Sequence, residues 1–329
     1  MRAIVITEPG GPEVLAWQEV TDPEPKPGEV LIDVAACAVN RADLLQRQGL
    51  YPPPPGESEI LGLECSGRII ALGDGVTSHA LGDEVTALLA GGGYAERVAV
   101  PAGQCMSVPP TVDIETAGGL PEVACTVWSN LVGEAHLAEG DWILIHGGGS
   151  GIGTMAIQIA RALGARVAVT AGSPEKLDVC ADLGAEVLIN YRIQDFVEVM
   201  NQETGGRGVD VILDNMGAAY LQRNILTLAR NGRLVIIGMQ GGVKAEFNIA
   251  TLLQRNGRVI ATSLRGRPRD EKATICAAVE QHVWPLIHAG VVKPMIGARI
   301  PLSQAADAHR LLESGDVTGK IVLTAGEHA

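Results

Sequence analysis

A glycine-rich turn between an apolar strand and an apolar-faced helix constrains this chain more than any other feature. The turn covers residues 147–153, after a strand predicted over 142–146 and before a helix predicted over 154–163. A diphosphate binds to backbone N–H groups at a helix N-terminus, where a Cβ would block its approach. Ser150 replaces the middle glycine of the G-x-G-x-x-G spacing, but serine still permits close approach, and its hydroxyl can donate to phosphate. The turn therefore predicts a nucleotide-binding unit.

The segments around this turn alternate between strand and helix patterns, which favours a bound cofactor over a plain glycine turn. A nucleophile elbow is excluded because Ile152 stands where G-x-S-x-G requires its last glycine. Strands that are apolar throughout, with helices between them, indicate a parallel sheet that is covered on both faces. The sequence predicts an α/β fold with a doubly wound, six-stranded Rossmann sheet, whose strands cover 142–146, 166–170, 187–189, 209–213, 234–237 and 258–261.

The first third of the chain has a different pattern, with short strands between glycine and proline turns. Strands are predicted over 30–36, 67–73 and 97–100, and such spacing is typical of a β-barrel-like domain. After the Rossmann pattern come a helical region over 272–288 and a closing strand over 319–323, which we expect to return to the first domain. The predicted division is therefore 1–122 with 266–329 for the barrel domain, and 123–265 for the Rossmann domain.

Charge and cysteine usage narrow the classes of function. The formal net charge of −13 disfavours binding to nucleic acid or to an anionic membrane, and the basic segment 265–269 is too short to reverse this. No long uncharged apolar stretch predicts a membrane span. The six cysteines include no C-x-x-C pair, so we expect reduced, mostly buried thiols and a cytoplasmic protein.

The end of the second Rossmann strand indicates which nicotinamide cofactor binds. An enzyme that uses NAD usually places Asp or Glu there to bind the ribose 2′-hydroxyl, and the strand over 166–170 has no acid at its tip. Ser173 suits a helix N-cap, and that helix start together with Lys176 can hold a 2′-phosphate, with Tyr191 near the adenosine. Glu175 opposes this interpretation, and the alternative for Lys176 is a solvated helix lysine. The sequence predicts NADPH.

Several motifs resemble one known family. The segment 140–153 looks like the signature of quinone oxidoreductases and zeta-crystallin, which are medium-chain dehydrogenases/reductases. The segment 40–54 is similar to the branch that contains the tumour-suppressor-inducible quinone oxidoreductase. Segments 61–67, 92–96 and 319–323 also match, so the resemblance covers essentially the whole chain.

This resemblance implies a GroES-like β-barrel catalytic domain, a Rossmann domain, a cleft between them, NADPH as cofactor, and a homodimer or homotetramer. It implies that Asn40, Asp43 and Tyr51 line the substrate cleft. It also implies a set of cofactor-binding residues: Thr126, Ser150, Gly151, Ile152, Gly153, Gly172, Ser173, Lys176, Tyr191, Met216, Gly238, Met239, Gln240, Ser263, Leu264, Arg265 and Lys320.

The zinc alcohol dehydrogenases are relatives whose metal site this sequence does not reproduce. A catalytic zinc needs three protein ligands, and in those relatives the histidine lies in a Gly-His-Glu motif. Here Leu63 occupies the histidine position and Asn40 falls near the place of the first cysteine ligand. Cys37 and Cys125 lie nearby, but without a histidine they are better interpreted as buried apolar thiols. We therefore expect no metal.

The resulting hypothesis is an NADPH-dependent quinone oxidoreductase that transfers a hydride directly to a quinone, with Tyr51 or water donating the proton and Asn40 orienting the acceptor. Asn40 and Asp43 can equally cap the helix that begins there. A first alternative is reduction of activated C=C bonds in enals, enones or enoyl thioesters, for which Arg265, Arg267 and Arg269 leave a CoA phosphate site open. A second alternative is an NADPH-binding redox sensor or structural protein with negligible turnover.

Overall fold

Two sheets of different kinds organise the chain. In the computed structural model, which describes residues 1–326, one unit comprises Met1–Cys125 and the residues from Leu264 onward. The other unit comprises Thr126–Ser263. The sequence pattern predicts these divisions after residues 122 and 265.

The described residues form strands and helices in the following chain order. The strands are β1 Arg2–Ile6, β2 Leu15–Glu19, β3 Glu29–Ala38, β4 Glu64–Leu72, β5 Glu84–Leu88, β6 Arg97–Pro101, β7 Cys105–Ser107, β8 Trp142–His146, β9 Arg166–Ala171, β10 Val187–Asn190, β11 Val209–Asp214, β12 Leu228–Ile236, β13 Arg258–Ala261, β14 Ile296–Pro301 and β15 Lys320–Thr324. The α-helices are α1 Arg41–Arg47, α2 Ile114–Ala117, α3 Pro121–Trp128, α4 Gly151–Ala162, α5 Pro174–Asp182, α6 Phe196–Glu203, α7 Leu221–Thr227, α8 Ile249–Arg255, α9 Arg269–His282, α10 Trp284–His288 and α11 Ala305–Ser314. A π-helical segment, Ser129–Glu134, follows α3.

The sheet of the second unit has six strands in the order β10-β9-β8-β11-β12-β13. Every neighbouring pair is parallel, and the order reverses between β8 and β11. This is the doubly wound Rossmann order, in which ligands bind at the carboxyl ends of the strands beside the reversal point. The predicted α/β fold with a six-stranded Rossmann sheet is confirmed.

The sheet of the first unit has seven strands, of which six follow the order β14-β15-β3-β4-β5-β7 and β6 pairs with β3. All its pairs are antiparallel except β14 with β15, and β1 and β2 form a separate hairpin. Its core includes the fully buried Ile32, Leu61, Val85 and Leu323. Because β15 pairs with β3, the C-terminal strand returns to the first domain, as predicted.

Some element boundaries differ from the predicted ones. Helix α4 begins at Gly151 rather than at residue 154, because Ser150 caps it by accepting the Gly153 N–H. The helical region over 272–288 is two helices, and the break at Val283 precedes Pro285, which lacks the N–H needed to continue the ladder of α9. Strand β12 starts at Leu228, well before the predicted 234. Within residues 1–326, none of the helices has the length and apolar character needed to cross a membrane.

Candidate functional site

The glycine turn of the Rossmann unit is held closed by Ser150. The Ser150 hydroxyl accepts a hydrogen bond from the Gly153 N–H at 3.0 Å and donates its own proton to the Gly147 carbonyl at 2.7 Å. The hydroxyl proton is thus bonded within the turn, and its donation to a phosphate stays a prediction. A Cβ on Gly153 would lie 2.3 Å from the Gly147 carbonyl oxygen, so only glycine fits there. Ser150 and Gly153 together shape the N-terminus of α4.

Lys176 lies alongside this turn. A Cβ on Gly149 would lie 3.1 Å from Cδ of Lys176, which shows how closely the lysine stem covers the loop. Lys176 stands in the first turn of α5, whose N-cap Ser173 accepts the Lys176 N–H at 3.4 Å. The pKa of the exposed Glu175 is lowered by a hydrogen bond from its own backbone N–H and by one from the Ser173 hydroxyl.

Tyr191 completes this group at the tips of β9 and β10. A Cβ on Gly172 would lie only 2.4 Å from the Tyr191 hydroxyl oxygen, so the phenol lies directly against the end of β9. Tyr191 as a whole is 46% exposed and accessible to a ligand. The structure thus brings together four residues that the sequence analysis assigned to the 2′-phosphate end: Gly172, Ser173, Lys176 and Tyr191.

A buried polar network that sequence reasoning missed lies below the turn. Gly147 N–H donates to the Thr170 hydroxyl oxygen at 3.4 Å, and that hydroxyl lies 3.1 Å from His146 Nδ1. His146 Nε2 lies 2.8 Å from the Asn224 side-chain oxygen. Burial lowers the pKa of His146 to about 4, so the imidazole is neutral near pH 7. The signal was available, because His146 is a polar residue at the end of an otherwise apolar strand.

The loops that follow β11 and β12 run side by side at the same edge of the sheet. The buried Asp214 carboxylate accepts N–H groups from Met216 at 2.7 Å and from Gly217 at 3.0 Å. The Gly241 N–H donates to the Met216 carbonyl at 2.7 Å. This pairing places Met216, Gly238, Met239 and Gln240 together at the carboxyl edge, where the resemblance predicted a cofactor.

Asn215, between these loops and the glycine turn, was not predicted as a site residue. The Gln240 N–H donates to its backbone carbonyl at 3.2 Å, and its Nδ2 lies 2.7 Å from the point where a Gly147 Cβ would stand. Within residues 1–326 its buried Oδ1 atom has no hydrogen-bond partner. Since an unpaired buried acceptor is costly, this atom fits the role of accepting a donor group from a bound ligand.

Thr126 and Ser263 stand at the two ends of the Rossmann unit. The Thr126 carbonyl accepts from Asn130 Nδ2 at 2.8 Å, and Asn130 Oδ1 accepts from the Thr262 hydroxyl at 2.6 Å. Asn130 thereby joins the π-helical segment to the residues after β13, close to Ser263. Leu264 and Arg265 belong instead to the first unit.

Asn40 is the centre of a polar cluster in the first unit. It is the N-cap of α1, and its backbone N–H donates to Asp43 Oδ2 at 2.7 Å. Its side-chain Nδ2 donates to Glu64 Oε1 at 2.9 Å, and its Oδ1 accepts from Lys320 Nζ at 2.7 Å. A carboxylate on one side and an ammonium on the other fix which way the amide faces. We call Asn40, Glu64 and Lys320 the amide cluster.

Lys320 is bonded to three groups of the first unit. Its ammonium forms an ion pair with Glu64 at 2.7 Å and donates to Asn40 and to the Val39 carbonyl, the latter at 3.1 Å. An ammonium has three donors, and all three are used within the first unit. Lys320 therefore positions Asn40, and its contact with a cofactor stays a prediction. Its partner Glu64, which is fully buried, was missed as a site residue.

Asp43 has the helix-capping role that the sequence analysis gave as the alternative to a place in the substrate cleft. It is 1% exposed, and its carboxylate accepts from Asn40 N–H, from Gly62 N–H at 3.2 Å and from the Tyr94 hydroxyl at 3.3 Å. Burial raises the pKa of Asp43 to about 6, against the backbone hydrogen bonds that lower it. The Tyr94 hydroxyl in turn lies 3.2 Å from His309 Nε2. Asp43 therefore holds the start of α1 in place.

Arg265 is buried and supports Tyr51. Its guanidinium donates to the Ala90 carbonyl at 2.7 Å and to Gln46 Oε1 at 2.7 Å. It also donates to the Tyr51 carbonyl at 3.4 Å and lies 5.3 Å from the centre of the Tyr51 ring, within the range of a cation–π contact. These contacts fix the segment that contains Tyr51, and the cofactor contact of Arg265 stays a prediction.

The residues at the positions of the zinc ligands in alcohol dehydrogenases are apolar or hydrogen-bonded within this chain. Leu63 is buried, and burial raises the pKa of the Cys37 and Cys125 thiols well above the ordinary value. Within the described part of the chain, no group of three or more His, Cys, Asp and Glu side chains has an arrangement that could hold a metal ion. All six cysteines are free and buried.

Comparison with known proteins agrees with both units. Residues 26–110 match the family model of the alcohol dehydrogenase GroES-like domain, and residues 151–280 match that of the zinc-binding dehydrogenase. Human quinone oxidoreductase is 30% identical over 326 residues, covering 98% of this chain and 97% of the relative. The 2-haloacrylate reductase of a Burkholderia species is 31% identical, covering 98% of each chain.

A solved structure gives the same result in three dimensions. The Escherichia coli quinone oxidoreductase complexed with NADPH superimposes with a TM-score of 0.88 at 31% identity, covering 98% of this chain and all of that one. The predicted GroES-like and Rossmann folds are confirmed by the family models and by this structure. With full-length relatives at this level of identity, the chain belongs to the quinone oxidoreductase family of the medium-chain dehydrogenases/reductases.

Proposed function

We propose that this protein is an NADPH-dependent quinone oxidoreductase that transfers a hydride directly to a quinone without a metal ion. The observation that carries the choice of cofactor is the group at the tips of β9 and β10. There Ser173, Lys176 and Tyr191 surround Gly172 in the place where an NAD enzyme has an acid. The NADPH complex of the Escherichia coli relative supports the same choice.

The residues at the carboxyl edge of the Rossmann sheet fit a dinucleotide. The turn over 147–153 presents the N-terminus of α4 to a diphosphate, and Gly153 keeps that turn free of side-chain atoms. Lys176 beside the turn supplies a cation for the 2′-phosphate. The unpaired Asn215 Oδ1 would accept a donor from the cofactor, and Thr126, Met216 and Gln240 would lie along it.

The first unit supplies the groups for the acceptor. Bound NADPH would provide a hydride, and a quinone needs little further activation because its reduction gives an aromatic hydroquinone. Asn40 orients the acceptor with an amide that Glu64 and Lys320 hold in one orientation. Tyr51, fixed by Arg265, provides an aromatic face. These groups contribute proximity and orientation rather than a Lewis acid.

Reduction of an activated C=C bond is the second candidate, because 2-haloacrylate reductase is a full-length relative. An enoyl thioester is the less supported substrate of this kind. Arg267 and Arg269, which could have bound a CoA phosphate, are already paired with carboxylates. Arg269 pairs with Glu29 at 3.0 Å and with Glu57 at 3.7 Å, and Arg267 pairs with Glu271 at 3.4 Å. Carboxylates thus compensate both cations, which favours a small uncharged quinone or enone as the acceptor.

An absorbance assay separates these candidates. Purified, chelator-treated protein is mixed with NADPH or NADH and with an ortho-quinone, a para-quinone or an enone, and loss of reduced nicotinamide is followed. We expect quinone-dependent oxidation of NADPH that is much slower with NADH and is unchanged by chelator. Turnover with the enone alone would move the assignment to double-bond reduction. Tight NADPH binding without turnover on any acceptor would indicate a sensing or structural protein.

We also propose that two copies of the chain assemble through β13. This strand is one edge of the Rossmann sheet, and Val259 on it is 39% exposed. Helix α8 contains no buried residue, and its Ile249 and Leu253 are 65% and 70% exposed. An unpaired edge beside exposed apolar side chains is suited to pairing with a second copy. We place the protein in the cytoplasm, where its six cysteines would stay reduced.

A further inference from the structure

A carboxyl group that the proposed mechanism does not use lies beside the amide cluster. Glu122 is the second residue of α3, and its backbone N–H donates to Glu64 Oε2 at 2.9 Å. The other oxygen of the same Glu64 carboxylate accepts from Asn40 and from Lys320. A single carboxylate therefore separates the Glu122 backbone from the amide that we assign to the acceptor, and the Glu122 carboxyl itself lies within electrostatic range of Glu64 and Lys320.

The negative charge of Glu64 has a directly bonded cation, whereas a charge on Glu122 would have cations only at longer range. Lys320 directs its three donors to Glu64, Asn40 and the Val39 carbonyl. Within residues 1–326 the Glu122 carboxyl forms neither a hydrogen bond nor an ion pair with another side chain. The ionisable groups that interact electrostatically with the Glu122 carboxyl are Asp43 of α1, Glu64 of β4, Cys125 of α3, Arg265, Lys272 of α9 and Lys320 of β15.

These surroundings keep Glu122 protonated at neutral pH. Desolvation first, and then repulsion from Glu64, raise its pKa to about 8, while Lys320 acts in the opposite direction. The side chain is nevertheless partly exposed rather than sealed in the core. A carboxylic acid that keeps its proton at pH 7 and remains accessible has the properties of a general acid.

We propose that Glu122 is the proton donor that completes reduction of the acceptor, an inference that rests on the proposed quinone reductase function. The quinone gains two electrons and one hydrogen as a hydride from NADPH. The O–H bond of the Glu122 carboxyl then breaks, and its proton forms the O–H bond on the reduced quinone oxygen. The Glu122 carboxylate regains a proton from water, so each turnover consumes one NADPH and one proton.

The test is Glu122→Gln, which keeps the shape of the side chain and the backbone N–H to Glu64 but cannot donate a carboxyl proton. We expect kcat for quinone reduction to fall by about 10²- to 10⁴-fold, the usual contribution of a general acid. NADPH affinity should be unchanged. In the wild type kcat should fall as pH rises through about 8, because the donor is then ionised, and the variant should lose this limb. Glu115→Gln, an exposed acid of α2, is the matched control.

A second measurement does not depend on turnover. Infrared spectra of the ligand-free protein should show a protonated carboxyl band that disappears as pH rises through about 8 and is absent from Glu122→Gln. This band is distinguishable from Asp43 and Asp214, whose pKa values lie near 6. If Glu122→Gln does not fold, the infrared titration and the alkaline limb of the wild type decide the matter, and the absence of both overturns the proposal.

The two proposals fail in different ways. Full kcat and an unchanged pH profile in Glu122→Gln would overturn the donor role while leaving quinone reduction established by the wild type. A wild-type protein that shows the infrared band near pH 8 but reduces no quinone would overturn the proposed function, and the donor role with it. Loss of kcat in Glu122→Gln with retained NADPH affinity, and an unaffected Glu115→Gln, would support the proposal.

Discussion

At the scale of single residues, Lys176 lies where a cation can distinguish the two nicotinamide cofactors. Its stem covers Gly149 of the phosphate turn, and its backbone N–H is bonded to the cap Ser173. Glu175 beside it stays ionised because hydrogen bonds from its own backbone N–H and from the Ser173 hydroxyl lower its pKa, and these bonds hold its carboxylate at the N-cap of α5. The ammonium of Lys176 is therefore the group most suited to a 2′-phosphate.

We expect Lys176→Ala to weaken NADPH binding and to leave NADH binding unchanged. A hydrogen bond to a charged group contributes about 1.5–3 kcal/mol, so the Kd for NADPH should rise roughly 10- to 100-fold. Fluorescence titration of the reduced cofactors measures both values. Lys244→Ala, an exposed lysine of the same unit, is the control. Equal weakening of NADPH and NADH would contradict a 2′-phosphate contact.

Residue roles that depend on local geometry could be predicted from the sequence, and those that depend on distant partners could not. Ser173 caps α5 and Asn40 caps α1, as their positions before helical segments indicate. Lys320, by contrast, is bonded to Val39 and Asn40, which are 281 and 280 positions away. No sequence pattern shows that all three donors of this ammonium are used. The buried partners of Arg265, Ala90 and Gln46, are likewise distant in sequence, whereas the capping contact of Asp43 with Asn40 is local and was among the alternatives that the sequence offered.

At the scale of elements, the strands of the Rossmann unit could be predicted where they form apolar runs, whereas the first half of β12, which contains Arg230 and Asn231, was missed. The predicted bounds 142–146 and 258–261 are those of β8 and β13. The boundaries of α4 and α9 were wrong because a cap and a proline, rather than hydrophobic periodicity, decide where these helices begin and end. Strand β14 was missed because its residues alternate between exposed and half-buried, so no apolar run marks it.

The close packing of Gly153 in α4 against the glycine turn predicts that a larger residue there will disturb both stability and cofactor binding. In Gly153→Ala the new Cβ would lie 2.3 Å from the Gly147 carbonyl oxygen and 2.6 Å from that of Gly148, so the turn must shift. We expect the free energy of unfolding to fall by about 1–3 kcal/mol, as for overpacked sites, and affinity for both reduced cofactors to fall together. Chemical denaturation and cofactor titration measure these effects.

Gly133→Ala is the matched control for this prediction. Gly133 lies in the π-helical segment of the same unit, and a Cβ there would meet no atom within 4 Å. This variant should match the wild type or be slightly more stable, because alanine restricts the unfolded chain. A Gly153→Ala protein with unchanged stability and cofactor affinity would show that the turn tolerates a Cβ.

At the scale of the whole molecule, the two edges of the Rossmann sheet differ. The edge strand β10 has buried Val187 and Ile189. The opposite edge strand β13 has only exposed and half-buried residues. Among the described residues, no strand pairs with its outer edge. Exposed edges with apolar side chains promote pairing between chains, and closed two-fold dimers are the commonest result. The asymmetry of the two edges therefore locates the expected dimer contact at β13.

This location can be tested by placing charge on the β13 edge and on α8. We expect the wild type to have the mass of two chains in sedimentation and light-scattering measurements. Val259→Lys combined with Leu253→Lys should shift it to the mass of one chain, because two desolvated ammonium groups from each copy would meet across a shared edge. Ile193→Lys, at an 81% exposed position after β10, should leave the dimer intact. A wild type that is monomeric at all concentrations, or a dimer that persists in the double variant, would place the contact elsewhere or remove it.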